Sequence, residues 1–164
     1  MTAPTFLLAT DLDGTFLGGT VEPRRTLYAD LAARSDVLLV YVTGRDIGFV
    51  AALIGKPGMP RPHYIIGDVG TSVYDGAMLQ PMAELETEIA ARWRSANARV
   101  MALLENESRL AFQPTAFRHR VSYDCDPALL SPRAIARVEE AGFDCLLSDS
   151  IAADRADAKA SAAA

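Results

Sequence analysis

Short apolar runs alternate with helical segments through the first half of the chain. The runs FLLA at 6–9 and VLLVYV at 37–42 are typical of strands buried on both faces of a parallel sheet, and HYIIGDVGTSVYDG at 63–76 indicates a strand, a glycine-containing turn and a second strand. Between them, residues 23–34 and 47–54 keep apolar residues at helical spacing, with Pro23 at a first helical position. The order β-α-β-α-β predicts an α/β fold with a Rossmann-like, doubly wound parallel sheet, whose functional loops follow the carboxyl ends of the strands.

The second half of the chain becomes helical and then returns to strands. Residues 83–106 predict helix, with acidic residues early and arginines later, as the helix dipole prefers. Residues 109–114 and 117–125 predict two antiparallel strands, the second with alternating burial. The last predicted elements are a helix at 131–142, with Ser131 as its cap, and a strand at 143–148.

These patterns divide the chain into three parts. We predict a Rossmann-like core at residues 1–80, a small α+β cap domain at 81–148 and a disordered tail at 149–164. The tail is rich in alanine and has no bulky apolar residue after Ile151. It can therefore form a frayed helix but cannot build a core.

Composition limits the classes of partner. The chain has 164 residues, of which 50% are hydrophobic, and a formal net charge of -5 that is spread over both halves. Such a chain can bury a real core, and the lack of a cationic region disfavours binding to nucleic acid or to anionic membranes. The first residues contain no basic segment and no long apolar run, so we predict a cytoplasmic location. The oligomeric state is left open.

The two cysteines, Cys125 and Cys145, do not have the spacing of a zinc site. We interpret them as small buried apolar residues. A disulfide between them is the alternative.

The candidate chemistry is concentrated in DLDGT at 11–15. Asp11 ends a predicted buried strand and can act as a nucleophile or metal ligand, and Asp13 can transfer a proton. Two nearby carboxylates repel each other, which favours a Mg²⁺ ion held by Asp11 and Asp13. Gly14 allows the backbone to bend so that its amide faces an anion. The alternative interpretation of this motif is a turn that caps a helix.

A second polar break follows the next predicted strand. Thr43 offers a hydroxyl and Gly44 a bare backbone amide, and a helix predicted to begin near Arg45 adds positive potential. This arrangement predicts a phosphate-binding site, although Thr-Gly after a strand is also common in turns. Both motifs follow adjacent predicted strands, which favours a shared function.

The motifs DLDGT and VTGR resemble the first and second motifs of the haloacid dehalogenase superfamily of phosphohydrolases. This resemblance implies that Asp11 is phosphorylated, that Asp13 is the general acid and base, and that Thr43 binds the transferring phosphoryl group. The short loop before Pro23, together with a lid after the third strand, resembles the Cof-like subgroup with a type II cap.

Two further segments, IGDVGTSVYDG and RHRVSYDCD, resemble the sucrose-phosphate phosphatase family. The resemblance implies Mg²⁺-dependent hydrolysis of a small-molecule sugar phosphate through an aspartyl-phosphate. Members of this family hold the sugar near the hairpin and the cap. The candidate substrate residues are therefore Arg45, Asp68, Gly70, Thr71, His119 and Arg120.

The superfamily also has two motifs that this chain does not match. A lysine that neutralises the phosphoryl group and an acidic cluster, typically GDxxND, follow the cap, whereas Lys56 and Lys159 are the only lysines here. We therefore expect a C-terminally truncated chain in which the strand before Asp11 lies at an exposed sheet edge. The alternative to a phosphatase is a truncated, catalytically inactive remnant or a phosphate-binding module.

Overall fold

The computed structural model describes residues 4–114, 117–149 and 158–163, and for residues 127, 148–149 and 158–163 it describes the backbone alone. The chain forms two compact units, Met1–Glu86 and Thr87–Ala164. The division falls after Glu86, a few residues beyond the predicted boundary at residue 80. None of the helices in these ranges is long and apolar enough to cross a bilayer.

The first unit is a four-stranded sheet with the order β1-β2-β3-β4. Strands β1, β2 and β3 are parallel, and β4 returns antiparallel to β3. This confirms the predicted α/β fold and its parallel sheet. The elements are β1 (Phe6–Asp11), α1 (Val21–Ala33), β2 (Val37–Val42), α2 (Ile47–Ile54), β3 (Tyr64–Gly67) and β4 (Ser72–Asp75).

The core of the first unit lies around β2. This strand pairs on both sides, and its residue Tyr41 is fully buried. The tyrosine hydroxyl donates a 2.6 Å hydrogen bond to the carbonyl of Pro60, so its polar end is satisfied inside the core. Around it pack Leu12, Phe16, Tyr28, Leu39, Val50, Leu53, Ile54, Ile65 and Tyr74.

Strand β1 differs from the sequence expectation in its burial. Phe6 is 56% exposed and Leu7 is 68% exposed, so the prediction that this run is buried on both faces is wrong. The reason is its position, because β1 pairs only with β2 among the described strands and forms the sheet edge. The edge position itself agrees with the sequence expectation.

Two helix predictions need correction. Helix α1 begins at Val21, so Pro23 is its third residue and not its first. The predicted helix at 83–106 is two helices, α3 (Ala83–Trp93) and α4 (Asn97–Leu104). Arg94 and Ser95 between them have φ of +54° and +53°. A right-handed helix of L-residues cannot continue through this left-handed conformation.

The second unit is an antiparallel sheet with the order β5-β6-β8-β7. Its strands are β5 (Leu110–Phe112), β6 (Arg120–Cys125), β7 (Asp144–Asp149) and β8 (Ala158–Ala163). Helix α5 (Pro132–Glu140) is N-capped by Ser131, as predicted, although the serine side chain makes no capping hydrogen bond. The antiparallel pairing of β5 with β6 is also confirmed.

The disordered-tail prediction is wrong for Ala158–Ala163. These residues form β8, which pairs along its whole length with β6 on one side and β7 on the other. Two complete backbone ladders stabilise a segment of alanine, lysine and serine, which are not residues that favour strands. The rest of the predicted tail from residue 150 lies outside the described residues.

Strand β6 is more deeply buried than its sequence pattern indicates. It begins at Arg120, and all its residues except Asp124 are buried. The predicted alternation from Phe117 is therefore wrong. Cys125 is buried in β6 and Cys145 is half-buried, and no disulfide joins them. The core of this unit comprises Trp93, Ala96, Val100, Val121, Tyr123, Val138 and Phe143.

Candidate active site

The DLDGT segment forms a sharp turn at the carboxyl end of β1. Leu12 and Phe16 are buried and anchor the turn Leu12–Phe16 in the core. Gly14 has φ of +72°, a conformation that glycine adopts without a steric penalty. The hydroxyl of Tyr28 donates a 2.7 Å hydrogen bond to the carbonyl of Phe16 and secures the end of the turn. The buried anchors therefore hold the backbone that carries Asp11 and Asp13.

Asp11 is exposed at the end of β1. The hydroxyl of Thr15 lies 3.2 Å from its Oδ2 and donates to it. Among the described residues this is the one side-chain hydrogen bond to the Asp11 carboxylate. Its Oδ1 atom is consequently accessible to a ligand, as a nucleophile or a metal-binding oxygen requires.

Asp13 makes a bidentate ion pair with Arg45. Nε of Arg45 lies 2.9 Å from Oδ2 of Asp13, and Nη2 lies 3.0 Å from Oδ1. The hydrogen bond to Asp13 raises the pKa of the Arg45 guanidinium, which burial opposes. Sequence reasoning placed Arg45 among the substrate residues and missed this pairing. Its proximity to Thr43 in VTGR was the available signal.

Thr43 stands beside the DLDGT turn because β1 and β2 are parallel and in register. Asp11 is paired with Val42, so the residues that follow the two strands lie side by side at the carboxyl ends of β1 and β2. Thr43 is 4% exposed, and its hydroxyl oxygen accepts a 3.1 Å hydrogen bond from the backbone N–H of Arg45. The hydroxyl hydrogen remains available to donate to an anion.

The helix after Thr43 begins later than predicted. Asp46 is its N-cap and accepts a 3.0 Å hydrogen bond from the N–H of Phe49, and Ile47 is the first helical residue. Gly44 and Arg45 therefore precede the helix. Gly44 is exposed. Its part in a phosphate site stays a prediction.

The turn between β3 and β4 packs against the Thr43 loop. The N–H of Asp68 donates to the carbonyl of Arg45 at 3.0 Å, and the N–H of Val69 donates to the carbonyl of Thr43 at 3.3 Å. Asp68 and Val69 have φ of +53° and +60°. A β-branched residue rarely adopts this conformation, and such strain is common at functional sites.

The three candidate residues in this turn differ in exposure. Asp68 and Thr71 are buried, whereas Gly70 is exposed. The hydroxyl of Thr71 donates a 2.8 Å hydrogen bond to the carbonyl of Asp68. Because that hydrogen is already used, Thr71 can offer a ligand only an acceptor.

His119 and Arg120 belong to the second unit. Both are buried, with 9% and 6% of their surfaces exposed. The Arg120 guanidinium stacks on the ring of Phe117 at 3.5 Å from the centroid. These observations fit packing within the second unit, and a role in substrate binding stays a prediction.

The carboxylates partly fit the requirements of a Mg²⁺ ion. Mg²⁺ is commonly held by one or two carboxylates and completed by water and substrate phosphate. Asp11 is exposed and fits this role, whereas both oxygens of Asp13 are occupied by Arg45. The described residues contain no group of three or more His, Cys, Asp or Glu side chains placed to hold a metal. Asp13 would fit as a ligand once Arg45 releases it.

Comparison with known proteins supports the resemblance noted in the sequence. Residues 4–149 match the family model for sucrose-6F-phosphate phosphohydrolase. Glucosylglycerol-phosphate synthase from Pseudomonas anguilliseptica is 40% identical over 143 residues, covering 87% of this chain and 19% of that protein. Mannosylfructose-phosphate phosphatase from Agrobacterium fabrum is 40% identical over 86 residues, covering 51% of this chain and 33% of that protein.

A solved structure shares the fold. The sucrose-phosphatase from Synechocystis sp. PCC6803, in complex with sucrose and phosphate, superposes with a TM-score of 0.74 at 19% identity. The match covers 98% of this chain and 64% of that chain. The chain thus spans less than two thirds of each of these three proteins. Because the family model covers most of its length, the chain belongs to the sucrose-6F-phosphate phosphohydrolase family, phosphoric monoester hydrolases of the haloacid dehalogenase superfamily.

Proposed function

We propose that this chain carries the nucleophile, the acid/base residue and the phosphate-binding loop of a Mg²⁺-dependent sugar-phosphate phosphatase. The observation that carries the proposal is the pairing of Asp11 with Val42, which brings the DLDGT turn beside Thr43. A nucleophile, a proton carrier and a hydroxyl donor then meet at the carboxyl ends of two neighbouring strands. Ligand sites in open α/β sheets lie just beyond the carboxyl ends of the strands.

The reaction proceeds in two steps. Once Arg45 has released it, Asp13 takes up a proton from water; Oδ1 of Asp11 then attacks phosphorus, the bond between phosphorus and the sugar oxygen breaks, and Asp13 gives that proton to the sugar oxygen. Asp13 then takes a proton from water, which attacks the aspartyl-phosphate, releases inorganic phosphate and restores the Asp11 carboxylate. The Thr43 hydroxyl donates to a phosphoryl oxygen throughout.

A bound Mg²⁺ ion would be held by Asp11 and by Asp13. Its chemistry there would be to offset the negative charge shared by the carboxylates and the phosphoryl group. Arg45 already neutralises Asp13, so its charge does not offset that of Asp11 and the phosphoryl group. Because Mg²⁺ would offset this remaining charge, removal of Mg²⁺ by a chelator is expected to abolish turnover.

The proposed substrate is the phosphate monoester of a small sugar, of the sucrose 6-phosphate kind. The relative from Agrobacterium fabrum is named as a mannosylfructose-phosphate phosphatase, and the sucrose-phosphatase of similar fold holds sucrose and phosphate. The relative from Pseudomonas anguilliseptica is named as a glucosylglycerol-phosphate synthase. The compounds to test are therefore sucrose 6-phosphate, mannosylfructose phosphate and glucosylglycerol phosphate.

The test measures phosphate release from these three compounds with Mg²⁺ and with chelator. The Asp11→Asn protein is the control because it keeps the size of the side chain and removes the nucleophile. We expect Mg²⁺-dependent release from at least one compound and a loss of about a thousandfold or more in the control. Phosphate release no faster than that of the Asp11→Asn protein would refute the proposed phosphatase activity. Phosphate binding without turnover would instead indicate that the chain is a phosphate-binding module.

A further inference from the structure

Arg45 connects the loops that follow β1, β2 and β3. Its guanidinium binds both oxygens of Asp13, and it also lies 4.7 Å from the centroid of the Phe49 ring. Its backbone N–H donates to the hydroxyl of Thr43, and its carbonyl accepts from the N–H of Asp68. A single residue therefore sets the position of the Asp13 carboxylate relative to the phosphate-binding loop.

This ion pair occupies the atoms that proton transfer would use. Each oxygen of Asp13 accepts one N–H of the same guanidinium, so one lone pair of each oxygen is used and the carboxylate is held facing Arg45. The side chains of Arg45 and Asp13 are 37% and 28% exposed. Water therefore screens the pair, and another anion can compete for the guanidinium.

A phosphate group is a suitable competitor. It carries more charge than a carboxylate, and it accepts the same two parallel N–H bonds from a guanidinium. Asp11 and Asp13 are two residues apart, so their Cα atoms lie within about 7 Å of each other. A phosphate held at Asp11 and Thr43 is consequently within reach of the guanidinium that now binds Asp13.

We propose that Arg45 exchanges partners when the ligand binds. The phosphoryl group draws the guanidinium away from Asp13, and the carboxylate that is released becomes available to the substrate. The exchange rests on the phosphate site proposed above, but it does not depend on turnover. Arg45 is thus a phosphate ligand in the occupied site and a positioning residue for Asp13 in the free one.

The exchange predicts competition between Asp13 and phosphate for Arg45. We would measure the dissociation constant of inorganic phosphate by calorimetry for four proteins: wild type, Arg45→Ala, Asp13→Asn and the double variant. In the Asp13→Asn background no carboxylate competes, so adding Arg45→Ala should weaken binding by about tenfold or more. In the wild-type background the same change should cost less, because Arg45 must first leave Asp13.

The same measurements can overturn the proposal. If Arg45 never contacts phosphate, Arg45→Ala will change the dissociation constant less than about twofold in the Asp13→Asn background. No measurable phosphate binding by either wild type or Asp13→Asn would overturn it as well. If the affinities follow the expected pattern but no sugar phosphate is hydrolysed, the proposed function fails and the exchange stands.

The chain offers a matched control in a second bidentate pair. Arg34 binds Asp36 with Nε 2.9 Å from Oδ1 and Nη2 2.7 Å from Oδ2, just before β2 begins and therefore away from its carboxyl end. Arg34→Ala removes the same charge and should change phosphate affinity less than about twofold. If Arg45→Ala does not fold, Arg45→Lys is the second variant, because it keeps the positive charge but lacks the two parallel N–H donors of a guanidinium. It should weaken phosphate binding by about threefold or more in the Asp13→Asn background. An unchanged affinity for that variant would refute the exchange.

Discussion

The indole N–H of Trp93 donates a 2.6 Å hydrogen bond to Oδ1 of Asn97, across the break between α3 and α4. The amide nitrogen of Asn97 donates to the carbonyls of Phe117 and Arg120, both at 3.1 Å. Trp93 is 1% exposed, so its N–H would have little access to water without this partner. One amide side chain therefore joins the helix break to the start of β6.

Replacing Asn97 should destabilise the protein. Asn97→Ala leaves an indole N–H and two carbonyls without their partner, and we expect a loss of about 2 to 4 kcal/mol in the free energy of unfolding. Asn97→Asp should be destabilising too, because its second oxygen faces two carbonyls, even though a negative charge suits a helix N-terminus. Denaturant unfolding measures both changes. Asn106→Ala, at an exposed position, is the control, and a similar loss there would contradict the prediction.

Tyr41 should make the protein sensitive to alkali. Burial raises the pKa of its hydroxyl, which is also bound to the carbonyl of Pro60. The unfolded state begins to lose this proton near pH 10, whereas the folded state keeps it. The free energy of unfolding therefore falls as the pH rises above 10, by about 1.4 kcal/mol per pH unit for this one group. Tyr41→Phe should remove this part of the slope and cost about 1 kcal/mol at neutral pH. Equal slopes for both proteins between pH 9 and pH 11, measured by urea unfolding, would refute it.

The exposed edge at β1 should promote self-association. Leu7 is 68% exposed on a strand whose second edge is unpaired among the described residues, and such edges pair with other chains. Leu7→Lys should slow aggregation, followed by light scattering, while changing stability by less than about 0.5 kcal/mol. Leu8→Lys is the contrasting variant, because Leu8 packs against the core. This substitution should lower the free energy of unfolding by about 2 kcal/mol or more. Equal aggregation of wild type and Leu7→Lys would show that association starts elsewhere.

The sequence predicts the position of Asp11 and Thr43 because their signal is local. Each follows an apolar run, which only Thr10 separates from Asp11, and each is followed by residues that turn the chain, so that the end of the strand and the loop can be recognised together. The position of Arg45 two residues after Thr43 indicates that it lies near this site, but nothing local pairs it with Asp13. The ion pair joins residues 32 positions apart, and it exists because β1 and β2 are parallel and in register.

Two parts of the fold were missed for related reasons. Ala158–Ala163 contains only alanine, lysine and serine and none of the β-branched or aromatic residues that indicate a strand, and its strand is fixed by backbone pairing with β6 and β7. The break after Trp93 uses Arg94 and Ser95 at positive φ, whereas glycine is the residue that usually indicates such a conformation. In both cases contacts formed by the folded chain override the local preference.

Thr43 and Thr71 should respond differently to loss of their hydroxyl groups. Both are buried, but the Thr43 hydroxyl accepts from the N–H of Arg45 and keeps its hydrogen, whereas the Thr71 hydroxyl gives its hydrogen to the carbonyl of Asp68. Thr43→Val should therefore weaken phosphate binding by about tenfold, the usual value of a hydrogen bond to a charged group.

Thr71→Val should lower the free energy of unfolding by about 1 kcal/mol and leave phosphate affinity within about twofold. Thr43→Ser, which keeps the hydroxyl, should bind phosphate nearly as well as wild type, because the donor rather than the methyl group is what the anion requires. Calorimetric titration of the three variants with inorganic phosphate checks this order. If Thr71→Val weakened phosphate binding as much as Thr43→Val, the direction of the hydroxyl hydrogen bond would not be what selects the phosphate ligand.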